Sequence, residues 1–128
     1  MNSFLVDTNI IIYSLDDISE INNFYSKVIT IEDLIFFSFI SEIEVLSFNK
    51  ITNLEEETVI NLLNSFSKIG INKEIEKITI SIRKKKIIKI PDAIIAASAI
   101  YTNSTLVTRN TKDFNNIVGL KLINPFSE

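Results

Sequence analysis

The chain contains no cysteine and no histidine. The first absence excludes disulfides and thiolate metal sites, and leaves the redox compartment open. The second removes the imidazole general base, the Ser–His triad and every imidazole metal ligand. Hydrolytic chemistry in this chain must therefore rest on carboxylates, on a metal-activated water, or on both. Two glycines and two prolines leave little room for linkers or long disordered loops. Long apolar runs are also missing. The longest, residues 34–40, falls well short of the roughly 20 residues a membrane-spanning helix needs. The N-terminus has neither the basic region nor the long apolar region of a signal peptide. These absences lead us to expect a cytoplasmic protein without membrane contact. The net charge of −3 is not that of a generic nucleic-acid binder, although local patches matter more than totals.

What is present is an Ile-rich sequence of 128 residues, 46% hydrophobic and 23% charged. That is enough to bury a core as a single domain spanning residues 1–128. Residues 3–6 read as a short buried strand and residues 9–15 as a helix capped by Asp7 or Thr8. A second helix is expected over residues 18–28 and an aromatic, β-branched strand over 35–39. Ser41 and Glu44 show the Ser-x-x-Glu spacing of a capping box, which predicts a helix reaching about Phe48. Val59, Leu62, Leu63 and Phe66 form one apolar stripe of a helix that Gly70 is positioned to end. Ile75, Ile78 and Ile82 continue a helical stripe into Arg83-Lys84-Lys85-Lys86. Pro91 fits a first helical position, followed by the small face Ala93, Ala96, Ala97 and Ile100. Residues 105–108 read as a central strand, 110–116 as a loop or short helix, and 120–123 as a last strand. Strands alternating with helices predict an α/β fold of three layers, α/β/α, with a mainly parallel sheet. Ligands of such folds sit beyond the carboxyl ends of the strands.

Three acids stand in apolar surroundings: Asp7, Glu44 and Asp92. Each has an ordinary reading: Asp7 as an N-cap, Glu44 as an arm of the capping box, Asp92 as a first-turn anion favoured by the helix dipole. A second reading joins them. Carboxylates gathered around one point repel each other unless a cation compensates. Oxygen-only ligands suit Mg²⁺ or Mn²⁺, which also lower the pKa of a bound water. The basic run Arg83 to Lys86 with Lys89 reads as a solvated helix end or as a phosphate-contacting surface. Arg109 is the better candidate for substrate phosphate.

Four stretches carry a resemblance: Phe4-Leu-Val-Asp-Thr-Asn-Ile-Ile-Ile-Tyr13, Ile40-Ser-Glu-Ile-Glu-Val-Leu46, Pro91-Asp-Ala-Ile-Ile-Ala-Ala97 and Leu106-Val-Thr-Arg-Asn-Thr-Lys-Asp-Phe114. In order and spacing the chain resembles PIN-domain ribonucleases of the VapC-like toxin group. The resemblance implies an Mg²⁺- or Mn²⁺-dependent endoribonuclease in which Asp7, Glu44 and Asp92 hold the catalytic metal. It implies Asn110 or Asp113 at the variable fourth acidic position, with Asn110 standing where many relatives carry Asp, and it implies Thr8 and Thr108 at hydroxyl positions beside the site, which ordinary capping would also explain. It further implies RNA as substrate, a homodimer, and a cognate antitoxin that wraps the domain. Phe24, Phe36, Phe37 and Phe48 are candidates for interface or core. Two rival readings stand beside it: a PIN-like interaction protein with weak or lost catalysis, and a receiver-like phosphoacceptor module. The rival receiver reading would require an Asp ending the second strand and a Lys where Arg109 stands.

Overall fold

The structure is a computed structural model, and residues 1–127 are described. The short run Ser3–Val6 forms β1, with Leu5 and Val6 fully buried. A strand this apolar must be covered on both faces. Leu34–Ser38 (β2) and Thr105–Val107 (β4) pair with β1 on its two sides, both parallel. Ser67–Ile69 (β3) extends the sheet beyond β2, and Lys121–Ile123 (β5) beyond β4. The order is β3-β2-β1-β4-β5, parallel throughout.

Alternation along the strands divides the core into two layers. Leu5 and Leu106 face one way, against Ile75 and Ile82 of α5 (Lys73–Lys85), the alanines of α6 (Ile90–Tyr101) and Phe114 of α7 (Thr111–Phe114). Phe4, Val6 and Val107 face the other way. There they meet α1 (Thr8–Tyr13), α2 (Ser19–Asn23), α3 (Phe39–Leu46) and α4 (Asn53–Asn64). The predicted three-layer α/β/α architecture is therefore observed. Ala93, Ala96, Ala97 and Ala99 are all fully buried, so α6 approaches the sheet closely. Its end is a Schellman motif. Asn103 adopts φ 53°, the Asn103 amide donates to Ile100 O and the Ser104 amide to Ala99 O, and the chain turns straight into β4. Among the described residues no helix is long and apolar enough to cross a membrane.

Four local expectations need correction. The cap of α3 is Ser38, whose hydroxyl accepts from the Ile40 amide at 3.1 Å, and not Ser41. A true capping box occurs instead at Thr52 and Glu55. The helix expected to run to Gly70 ends at Asn64, and β3 follows within three residues. Phe66 leaves the helix and packs in the core near Tyr25, so it prolonged the apolar stripe without being helical. The expected helix 18–28 divides into α2 and a π-helical turn, Phe24–Val28. Pro91 is the second residue of α6, after Lys89 as cap and Ile90. It costs nothing there, because the first amides of a helix have no intrahelical acceptor. Of the four phenylalanines named above, Phe24 and Phe37 are core and only Phe48 is strongly exposed, at 58%.

Candidate active site at the carboxyl ends of β1 and β4

The chain steps from β1 to β2 and β3 on one side, then crosses to β4 and β5 on the other. The order thus reverses beside β1, and such a switch point opens a crevice at the carboxyl ends of its strands. Asp7 follows β1 directly and Thr108 follows β4. The Asp7 amide donates to Val107 O at 2.9 Å, which ties the two strand ends together.

Asp7 is 5% exposed. Its Oδ1 accepts from the Thr8 amide and its Oδ2 from Thr108 Oγ1, both at 2.8 Å. Thr108 is itself fully buried and accepts from the Asn110 amide at 2.9 Å. Burial pushes the Asp7 carboxyl up from 3.8 to about 6; the two hydrogen bonds oppose the shift, and the charges of Asp92 and Glu44 add to it. Asp7 is therefore both the cap of α1 and a strongly perturbed acid.

Glu44 lies on the exposed side of α3, where its Oε1 accepts from Thr8 Oγ1 at 2.7 Å. Asp92 is in the first turn of α6 and half-buried. Burial raises its pKa first, then the charges of Glu44 and Asp113, while Lys89 lowers it. Asp113 and Asp92 share a cleft of about 370 Å³ with Arg83, Lys89, Ile87 and Ile88. The Asn110 amide group donates to Asp113 Oδ2 at 2.7 Å. The charge of Asp113 reaches Asp92.

The fold thus brings Asp7, Glu44 and Asp92 within range of one another's charge at one end of the sheet, with Asp113 acting on Asp92. Among the described residues, no three His, Cys, Asp or Glu side chains are gathered closely enough to hold a metal ion as they stand. The donors are carboxylate oxygens, the chemistry that hard divalent ions prefer. No lysine or arginine forms a salt bridge with any of the four among the described residues. In donor chemistry and in uncompensated charge, the residues fit Mg²⁺ or Mn²⁺. Perturbed acids with such neighbours in a crevice are the physical mark of a functional site.

The remaining sequence candidates find other partners. The Arg109 guanidinium stacks over Phe126 at 4.1 Å and stands 5.6 Å from the Tyr13 ring. The Arg109 charge is thus held against the C-terminal segment. Glu42 pairs with Lys68 at 2.6 Å. Arg83 Nε donates to Ile88 O at 3.0 Å, bracing the turn between α5 and α6. β2 ends in Ser38, a helix cap, so the phosphoaccepting Asp of a receiver-like module is absent. Sequence reasoning missed Ser41 as a partner of this site and Phe126 as the partner of Arg109. Neither is near its partner in the chain.

Comparison with known proteins agrees with this geometry. The PIN domain family matches residues 4–120. The chain is 31% identical, at a TM-score of 0.78, to a chain of a toxin–antitoxin complex from Klebsiella pneumoniae, covering 97% of this chain and 98% of that one. It is 26% identical, at a TM-score of 0.83, to a chain of VapBC2 from Rickettsia felis bound to a promoter DNA fragment, covering 95% and 98%. VapBC-1 from nontypeable Haemophilus influenzae shares the fold at a TM-score of 0.82 and 24% identity, covering 98% and 99%. None of the curated protein sequences compared with the chain matches it. With the family match spanning nearly the whole chain and the switch-point acids in place, this protein belongs to the PIN domain family.

Proposed function

We propose that this chain is an Mg²⁺- or Mn²⁺-dependent endoribonuclease acting in the cytoplasm as the toxin of a toxin–antitoxin pair. The observation that carries the reading is the buried, uncompensated Asp7 at the switch point, with Glu44 and Asp92 as like-charged neighbours. Asp7, Glu44 and Asp92 would hold the cation, with Asp113 as the fourth acid. When bound there, it supplies charge compensation and an acidified water for attack on a phosphodiester. Asp7 is held rigidly by Thr8 and Thr108, and Glu44 is oriented by Thr8. Arg83 and Lys89, in the cleft with Asp92 and Asp113, would receive substrate phosphates, and Arg109 would receive another.

Membership of the PIN family and similarity to chains of toxin–antitoxin complexes support a cognate antitoxin. Beside Glu44 lies an apolar groove of about 240 Å³, lined by Ile12, Leu15, Val45, Phe48 and Ile51, with Glu44 and Glu55 on its rim. An apolar partner segment followed by a cationic side chain is complementary to it. A homodimer is part of the same reading and is checked by light scattering in solution. Purified protein should cleave a generic RNA with added Mn²⁺ and not with EDTA. Cleavage that persists in EDTA overturns the metal. An inert protein that still binds its antitoxin favours the alternative, a PIN-like interaction protein, to which the neutral Asn110 and the lack, among the described residues, of three acidic side chains gathered to hold a metal ion lend weight.

A further inference from the structure

Ser41 is fully buried at the third position of α3, one turn before Glu44. It does not cap the helix, since Ser38 does. Its Oγ lies 2.8 Å from Thr8 Oγ1, which in turn lies 2.7 Å from Glu44 Oε1. Elementary chemistry sets the direction of this chain. An ionised carboxylate only accepts, and a threonine hydroxyl carries one hydrogen. Thr8 must give that hydrogen to Glu44. The heavy-atom angles would let Thr8 donate to either oxygen, but its one hydrogen goes to the charged acceptor, and the 2.8 Å contact with Ser41 then takes the hydrogen of Ser41.

We infer that Ser41 is a positioning residue: through the Thr8 hydroxyl, it fixes the Glu44 carboxylate by Oε1 and leaves Oε2 free for the cation. The inference rests on the reading of Glu44 as a metal ligand. The need for such a relay is visible in the exposure of Glu44. A glutamate on an open helix face samples many rotamers, and each must be given up when it binds. Asp7 is held by burial and two donors, whereas Glu44 has only Thr8. A donor that itself accepts a hydrogen bond is polarised and donates more strongly. Ser41 also limits the hydroxyl rotor of Thr8 to the orientation that serves Glu44. Neighbouring Glu42 is drawn away by Lys68 and does not compete for Thr8.

The test is titration of the full chain with Mn²⁺, followed by calorimetry and by the loss of free-Mn²⁺ spin resonance. The proteins are wild type, Ser41→Ala, Thr8→Val, Glu44→Gln and the Ser41→Ala/Glu44→Gln double variant. Circular dichroism in EDTA checks that each is folded. Partners behind a metal ligand typically contribute about 10- to 100-fold in affinity. Thr8→Val should fall in that range, and Ser41→Ala, one bond further back, should weaken Mn²⁺ binding by about 3- to 10-fold. The Ser41→Ala effect should vanish in the Glu44→Gln background, because the relay then has nothing to position. Ser41→Ala binding as tightly as wild type, or the same weakening persisting without the Glu44 carboxylate, overturns the relay alone. Wild type that binds no Mn²⁺ overturns the metal reading and the relay with it.

Discussion

Asp7→Asn should make the metal-free protein more stable, by an amount the structure sets. The folded carboxyl titrates at about 6 against an ordinary value of 3.8, so the native state holds its proton more tightly than the unfolded chain does. Stability is therefore lost as pH rises from about 4 to about 6, and above that the loss is complete. The difference corresponds to about 3 kcal/mol at pH 8, at about 1.4 kcal/mol for each pH interval. Asparagine reproduces the protonated form: its oxygen can accept from the Thr8 amide and its NH₂ can donate to Thr108 Oγ1, where the carboxylate now accepts. It is also as good a helix cap as aspartate.

In EDTA at pH 8, Asp7→Asn should raise the urea midpoint by about 1–2 M and the melting temperature by roughly 10 °C. At pH 4.5 the advantage should shrink to about 1 kcal/mol, because wild-type Asp7 is then mostly protonated in the folded state. Saturating Mn²⁺ should narrow the gap from the other side, by about 2.7 kcal/mol when the cation stands at a hundred times its dissociation constant. Urea melts at the two pH values, with and without Mn²⁺, read all of this. A variant no more stable than wild type at pH 8 would refute the claim that burial penalises this charge. An advantage independent of pH would assign it to packing instead.

Asp113→Asn should weaken Mn²⁺ binding by about tenfold, while Asn110→Asp should change it little, because the Asn110 amide is already engaged by Asp113; calorimetric titration separates the two, and the reverse order would make residue 110 the fourth ligand. Arg109→Ala should raise the apparent KM for RNA and lower the salt slope of binding by about one phosphate contact. Phe126→Ala removes the ring on which Arg109 stacks but leaves its charge, so it should spare the slope; equal slopes lost in both variants would show that Arg109 acts only as a clamp on the C-terminal segment. Ser38→Ala should cost about 1 kcal/mol in a urea melt, as loss of a helix cap does, and no measurable cost would return the cap to another residue.

The parts legible in the sequence were those set by local pattern. Phe4-Leu5-Val6 reads as a buried strand, and the small face Ala93, Ala96, Ala97 and Ile100 reads as a helix pressed against a sheet, of which the three alanines are fully buried. Asp7 and Asp92 stood out because each interrupts such a run. What escaped depended on contacts between distant segments. β3 has three residues and no pattern of its own; its existence depends on the open edge of β2. Ser41 matched a capping spacing, and its real partner is Thr8, 33 residues away and beside it only because β1 lies next to β2. Arg109 was read as free for phosphate because nothing near it in sequence announces Phe126. The nearness of Asp113 to Asp92 likewise follows from the packing of α7 on α6 and not from spacing.

The choice of partners around the acids carries its own argument. A buried carboxylate that costs about 3 kcal/mol consumes a large share of the roughly 5–15 kcal/mol that holds a domain folded. An arginine or lysine beside Asp7 would remove that cost. The fold instead surrounds the acids with hydroxyls: Thr108 on Asp7, and Thr8 with Ser41 behind it on Glu44. A hydroxyl orients a carboxylate without neutralising it. The negative charge is thereby kept available and its oxygens are aimed. Arg83 and Lys89 stand at the edge of the cleft rather than paired with its acids, where they can meet a phosphate without silencing the site. Such a division, with hydroxyls next to the acids and cations one step outside, is expected of a centre that binds a divalent ion and a polyanion together. Salt bridges from Lys89 or Arg83 to Asp92 would have made a more stable protein with no place for either.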